Sequence, residues 1–232
     1  MNITQLIDRI FVSRRKQIEK YSTNAEEIQN GVLKKLVDAA SSTEWGRRYD
    51  FKNIKDYSGF DKQPVQVYDD VKGYIDRMRH GEKDVLWPGT VKWYAKSSGT
   101  TNDKSKFIPV SADGLKKIHY RGGTDAVALY LGENPQSNFF SGKGLILGGS
   151  HSPNYNLKDS LVGDLSAILI QNVNPLVNFI RVPSKKIALL SEFEEKVERI
   201  ASSTINKNVT NISGVPSWML AVIKRILEKT GA

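Results

Sequence analysis

Apolar positions at helical spacing open the chain. Within residues 2–20, Ile3, Leu6, Ile7, Ile10 and Phe11 fall on one face of an amphipathic helix. Thr23 or Asn24 then supplies the cap of a second helix, with Ile28, Val32, Leu36 and Val37 inward. Such a pair suits a membrane surface or a partner helix, but more commonly packs on its own domain. Residues 41–66 lose periodicity and are punctuated by Gly46, Gly59 and Pro64. Asp69 is a good N-cap for a third helix, with Val71, Tyr74, Ile75 and Met78 inward and Gly81 at its end. Trp87-Pro88-Gly89 turns the chain into a strand at 91–96.

That apolar run stops at a dense cluster of hydroxyls around Gly99, and Phe107 to Val110 resumes as a second strand. Ser111 caps a long helix on which Leu115, Ile118, Gly122, Ala126 and Leu129 keep one face apolar, until Glu133-Asn134-Pro135 breaks it. Gly144 to Leu147 reads as a buried strand leaving at Gly148-Gly149-Ser150-His151. Residues 161–171 read as helical, and Pro175 interrupts. Ser191 and Glu194 have the spacing of a capping box, before a helix with Phe193, Val197, Ile200 and Ala201 inward. Val209 to Ile212 forms a short strand. Ser213-Gly214-Val215-Pro216 turns into a last helix, with Pro216 in its first turn and Met219, Val222, Ile223 and Ile226 facing the core. Strands and helices alternate from residue 90 onward, which argues an α/β fold. No repeat, low-complexity tract or flexible linker interrupts the pattern.

Composition narrows the class. The 232 residues allow at most two ordinary domains and a sizeable core. No apolar run reaches the length of a membrane span, and Arg9, Arg14, Arg15 and Lys16 break up the apolar stretch a signal peptide needs. There is no cysteine, so disulfides and Cys-ligated zinc are excluded, and a cytoplasmic setting is the default expectation. Lys and Arg number 34 against 25 Asp and Glu, a surplus of nine. The basic residues are scattered, so a solvated surface explains them better than a nucleic-acid footprint, and neither nucleic acid nor membrane is expected as a partner.

The hydroxyl cluster is the first candidate for chemistry. Ser97-Ser98-Gly99-Thr100-Thr101, followed by Lys104 and Lys106, suits a loop that donates hydroxyl and backbone N–H groups to an anion. The plain alternative is a Ser/Thr-rich surface hairpin. A Walker A loop is excluded, because the second glycine is missing and the spacing from Gly99 to Lys104 is one residue short. Gly148-Gly149-Ser150-His151-Ser152 has the start of a nucleophile elbow but Ser152 where the last glycine belongs. His80 and His119 precede it and His151 is its neighbour, so a hydrolase triad lacks a histidine in its usual place. A tight exit turn is the better reading. The three histidines share no metal-ligand spacing. Arg121, at the edge of the apolar helix face, suits either a substrate carboxylate or a local pair with Asp125 four residues on.

Five segments, in order, resemble one family. Ser97-Ser98-Gly99-Thr100-Thr101 with Lys106 and Pro109 is similar to the phosphate loop of adenylate-forming enzymes. Its form is that of the Gretchen Hagen acyl-acid amido synthetases, the auxin-responsive family of plants, and their bacterial relatives. Gly142 to Ser150 resembles the family's next strand and turn. Gly163-Asp164-Leu165-Ser166-Ala167 and Val182-Pro183-Ser184-Lys185 resemble the bacterial branch. Gly214 to Met219 resembles the turn-to-helix element lining the acyl pocket.

The resemblance implies an incomplete large adenylate-forming domain, with a helical section at 1–40 packed on the mixed sheets of an α/β section at 41–232. The implied reaction joins a carboxylic acid to an amino acid through an acyl-adenylate, using ATP and Mg²⁺. Ser97, Ser98, Gly99, Thr100 and Thr101 would donate to phosphate oxygens, and Lys106 matches the lysine after the loop, although a solvent-facing role is equally open to it. Val215 and Pro216 would line the acyl site, and Arg121 would stand near a carboxylate-pairing arginine. No catalytic residue and no metal ligand is assigned within this chain. Two departures accompany the match. Asn102-Asp103 replaces common glycines, and family members run to roughly twice this length. The expectation is therefore a fragment or truncated reading frame that is inactive alone, its partner being the C-terminal half of the same protein. The alternative is a non-catalytic ligand-binding or interaction module that keeps the fold.

Overall fold

The computed structural model describes residues 3–97 and 105–231. The chain forms two compact units. One comprises Lys16–Lys116 and Pro153–Val162; the other comprises Met1–Arg15, Lys117–Ser152 and Gly163–Ala232. The fold is α/β, as the alternating pattern requires: helices pack on two three-stranded sheets.

The first unit is built on β1 (Trp93–Lys96) and β2 (Phe107–Val110), antiparallel with Trp93 opposite Val110 and Lys96 opposite Phe107. A strand at Leu161–Gly163, β4 in chain order after β3 (Lys143–Ile146), flanks β1 on its other side, where the Leu161 N–H donates to Lys92 O at 2.8 Å. Ile75 and Met78, from the Tyr68–Arg79 helix, join Val85, Val91, Tyr94 and Val162 in the core. The inward face of that helix is the one its periodicity indicates, but its start differs. Val67 is the N-cap residue, and Asp69 and Asp70 lie in the first turn, where the helix dipole favours acid. The Asp70 carboxylate reaches back to accept from the Val67 N–H at 2.8 Å. Gly81 follows the helix with φ +89, a left-handed conformation that costs glycine little. The stretch expected to be irregular holds short turns of helix at Glu44–Arg48, Phe51–Asn53 and Tyr57–Phe60.

In the second unit β3 lies between β5 (Arg181–Val182) and β6 (Val209–Ser213), parallel to both. Leu145, Leu147 and Val182 pack with Ile200 and Val222 from the helices Phe193–Thr204 and Pro216–Thr230. Strand alternation sends Gly144, Ile146, Arg181 and Asn211 to the opposite face. Gly144 is level with Arg181 on one side and Asn211 on the other.

Four local expectations are corrected. The long helix after Ser111 is not uniform: a π-helical stretch, Leu115–Tyr120, precedes the α-helix Arg121–Glu133. The wider turns rotate the inward face, so Leu115, Ala128 and Leu131 are buried while Ile118 and Leu129 are exposed. Leu161–Gly163 is a strand, and helix begins only at Leu165–Asn172, because a short apolar run has no period to separate the two. The helix after Ser191 starts at Phe193 with Glu192 as N-cap residue, which leaves Ser191 one position outside and the capping box unformed. Val222 is buried as expected, whereas its neighbour Ile223 faces outward.

Candidate functional site

The mouth of the β1–β2 hairpin is pinched shut by backbone. The Ser97 N–H donates to Lys106 O at 2.9 Å, and the Lys106 N–H donates to Ser97 Oγ at 3.1 Å. Pairing thus runs one step past the strands, and Ser97 keeps its own O–H for another acceptor. Below the mouth the stem is braced by rings. The Phe107 N–H donates to the Tyr68 hydroxyl at 2.9 Å, and Lys106 Nζ lies 5.3 Å from the centre of the Tyr68 ring. Lys96 Nζ stands 4.2 Å from the centre of the Tyr155 ring. The Arg79 guanidinium stacks 3.9 Å over Phe107 and donates to Tyr155 O at 2.7 Å. Tyr94, fully buried beneath, has its phenol pushed up to about 12 by burial, against a smaller opposing pull from Arg79. The Ser97 hydroxyl and the Lys106 ammonium thus stand at the mouth, a hydroxyl donor and a cation of the kinds that suit a phosphate. Ser98, Gly99, Thr100 and Thr101 lie outside the described residues, as does the Asn102-Asp103 departure. Ser97 and Lys106, the two ends of the expected loop, are brought together.

The exit turn of β3 is held from three sides in the second unit. Lys196, only 5% exposed, donates to Gly148 O at 2.9 Å and Gly149 O at 3.0 Å. Burial pushes its pKa down, and Asp164 partly restores it. The Ser150 N–H donates to Asp164 Oδ2 at 2.9 Å, the Asp164 N–H returns a bond to Ser150 O at 2.9 Å, and the Gly149 N–H donates to Ser166 Oγ at 2.8 Å. A side chain on Gly148 would run into Ile170, and one on Gly149 into Asp164. The glycines and Ser150 make a tight turn packed against its neighbours, which supports the exit-turn reading over a nucleophile elbow. Lys196 is absent from the sequence-based list of site residues. Its signal was its place four residues before Ile200, on the face expected to be inward.

Arg121 sits in its local pair, with Nε 3.9 Å from Asp125 Oδ1. Asp125 is gripped more closely by Arg14, whose Nε and Nη2 each donate at 2.6 Å and hold the carboxyl below its ordinary range. Val215 is half exposed at the end of β6, where its carbonyl accepts from the N–H groups of Trp218 and Met219, each at 3.0 Å. Pro216 opens the last helix and is also exposed. Among the described residues no three His, Asp or Glu side chains gather as a metal-ligand set. No helix among them is long and apolar enough to cross a membrane.

Comparison with known proteins identifies the family. The family model described as the GH3 family N-terminal domain matches residues 14–231. An indole-3-acetic acid-amido synthetase, GH3.17 of Arabidopsis thaliana, is 36% identical over 105 residues, covering 44% of this chain and 17% of the relative. The 4-substituted benzoates-glutamate ligase GH3.12 of the same plant is 31% identical over 96 residues, covering 40% of this chain and 16% of the relative. The solved GH3.15 acyl acid amido synthetase superposes with a TM-score of 0.73 at 23% identity, over 92% of this chain and 38% of its own. The aligned part of this chain thus spans less than a fifth of the curated relatives and little more than a third of the solved one. With the match running almost from end to end, the chain belongs to the GH3 family and carries its N-terminal domain.

Proposed function

We propose that this chain is the N-terminal part of an ATP-dependent acyl-acid amido synthetase, which adenylates a carboxylic acid and passes the acyl group to an amino acid amine. The observation that carries the reading is the hairpin mouth: Ser97 and Lys106 are bonded to each other through backbone and side chain at both ends of the Ser/Thr-rich segment. In that position Ser97, Ser98, Gly99, Thr100 and Thr101 donate to phosphate oxygens, and Lys106 sets a positive charge at the edge. Positioning and charge neutralisation are what phosphate-activated acyl transfer requires of such a loop. Mg²⁺, when bound with ATP, neutralises phosphate charge. No ligand for it is assigned among the described residues. Val215 and Pro216 line the acyl group, and Arg121, whose Nε is 3.9 Å from Asp125 Oδ1, pairs with a carboxylate.

Cytoplasmic placement belongs to the same proposal and is supported by the lack of cysteine. Descent from the bacterial branch is also part of it, and rests on the Gly163–Ala167 and Val182–Lys185 segments. The test is pyrophosphate release from ATP over a panel of aryl and indolyl carboxylic acids. It is run on this chain and on any longer product of the same reading frame. Release that depends on one acid, and falls at least tenfold in Ser98→Ala with Thr100→Ala, supports the synthetase. No release with any acid from either protein, both of them folded, overturns it and leaves the ligand-binding module.

A further inference from the structure

In the first unit a cavity of about 340 Å³ opens beside the short helices Glu44–Arg48 and Tyr57–Phe60. That volume lies at the lower end of the range of small-molecule sites. Its walls are rings: Trp45, Tyr49, Phe51, Tyr57 and Phe60 all line it. Asp61 is the one charged side chain in the lining among the described residues, although the chain as a whole carries a surplus of nine basic residues. Its neighbour Asp56 is occupied, accepting from the Gly59 N–H at 3.1 Å and from Ser58 Oγ at 2.7 Å. The Asp61 carboxylate enters no ion pair or side-chain hydrogen bond among the described residues.

The inner rings are set in place by the fold. Trp45 and Tyr49 stand four residues apart and so share one face of the turn. Their centres are 4.5 Å apart with planes at 51°, which makes a corner rather than a stack. Tyr74 meets Trp45 edge-on at 5.1 Å, and the Tyr49 hydroxyl accepts from Gln66 Nε2 at 3.3 Å. The backbone beneath is anchored, with the Glu44 and Trp45 N–H groups donating to Asp84 O at 2.8 Å and Val85 O at 3.0 Å. The outer rings are open to water, Tyr57 being 63% exposed. A ring face is the negative part of its quadrupole and attracts cations. The Arg48 guanidinium, outside the lining, already stands 5.8 Å from the centre of the Tyr49 ring.

We propose that this cavity binds a quaternary ammonium ion, its methylated nitrogen enclosed by the rings and its charge matched by Asp61. Such a head group is a cation with an apolar skin and no N–H, so ring walls suit it, whereas a primary ammonium has three donors to satisfy. Lacking an N–H, it is not an amine that could receive an acyl group. The site therefore lies outside the reaction proposed above, and stands whether or not the chain serves a synthetase.

The experiment is calorimetric titration of the protein with choline, with its uncharged carbon isostere 3,3-dimethylbutan-1-ol and with ammonium chloride. Choline is expected to bind saturably, about tenfold or more tighter than either of the others. Tyr57→Ala and Asp61→Asn, both at exposed positions, should each weaken choline about fivefold or more with the thermal midpoint kept. Phe179→Ala removes an exposed ring in the second unit and should leave binding unchanged. Absence of saturable choline binding overturns the proposal. Equal binding of the alcohol does so too, because the cavity is then a plain apolar groove, and equal binding of ammonium reduces it to an ion pair with a carboxylate. Binding that survives either Tyr57→Ala or Asp61→Asn, or that falls as far in Phe179→Ala, also overturns it. No arm supplies ATP or a carboxylic acid, so failure here is separate from failure of the synthetase reading.

Discussion

Replacing Lys196 by methionine is expected to destabilise the protein by about 2–3 kcal/mol. Methionine keeps the length and the apolar stem but removes both hydrogen bonds to the exit turn of β3. The carbonyls of Gly148 and Gly149 belong to buried residues, and each orphaned acceptor costs roughly 1–3 kcal/mol. Against the resulting sum stands the relief of no longer burying an ammonium, which returns part of it. For a domain of this size the net corresponds to a fall in Tm of roughly 4–10 °C. Urea unfolding followed by circular dichroism measures it, with Lys196→Arg as the variant that keeps donors and charge.

The pH dependence supplies an independent sign for the same variant. Burial holds the folded pKa of Lys196 below its unfolded value of 10.5. The protonated form is thus disfavoured in the folded state, and the penalty present at low pH disappears as pH rises from the folded pKa toward 10.5. The neutral amine still donates to both carbonyls. The stability gap between wild type and Lys196→Met should therefore widen as pH rises through that window. A gap under 0.5 kcal/mol at neutral pH, or one that closes with rising pH, would refute the clamp.

Gly149→Ala places a methyl against the Asp164 carboxylate that holds Ser150, and overpacking of this kind costs roughly 2–3 kcal/mol in a denaturation curve. A double-mutant cycle on Arg14 and Asp125, a bidentate pair largely out of solvent, should return a coupling energy of about 1 kcal/mol; a coupling below 0.3 kcal/mol would mean the pair is incidental. Glu198 accepts from Lys229 and from Arg225, which together lower its pKa to about 2. Its stabilising contribution is present above the unfolded value of 4.5 and is lost as pH falls toward 2, so Glu198→Gln should flatten the acid limb there. An NMR titration midpoint for Glu198 at 4 or above is the contrary result.

The periodic segments were legible because burial and period coincide in them. Ile75 and Met78 on one helix, Ile200 and Ala201 on another, and the antiparallel pair at Trp93–Lys96 and Phe107–Val110 all stand where the pattern puts them. What was not legible depends on facts a local window does not hold. The π-helical stretch at Leu115–Tyr120 shifts the face of every residue after it, and no residue type marks it. Leu161-Val162-Gly163 became a strand because β1 was there to pair with it. The Ser97–Lys106 pinch closes the strand–loop–strand hairpin expected there, a closure common to a phosphate loop and a plain Ser/Thr-rich hairpin. Arg181 was not legible as a buried cation, because a basic residue in an apolar run usually reaches for solvent, whereas Lys196 could be read from its place on the inward face four residues before Ile200.

Those two cations show how opposite conclusions follow from similar burial. Lys196 is surrounded by acceptors: two carbonyls at hydrogen-bond distance, the Asp164 charge in reach and the Trp218 ring 5.8 Å away. Its charge is part of what shapes the exit turn. Arg181 is held by its strand, level with Gly144, and its Nε and Nη2 find no acceptor. Burial pushes its pKa down, with Tyr120 only a weak counterweight. The same substitution therefore has opposite signs at the two sites. Methionine at 196 removes a satisfied donor and leaves orphaned oxygens behind. At 181 it removes an unsatisfied charge and orphans no acceptor, so the protein should be as stable as wild type or more so. If methionine at 181 destabilised the protein as much as at 196, the guanidinium would have to be supporting the strand.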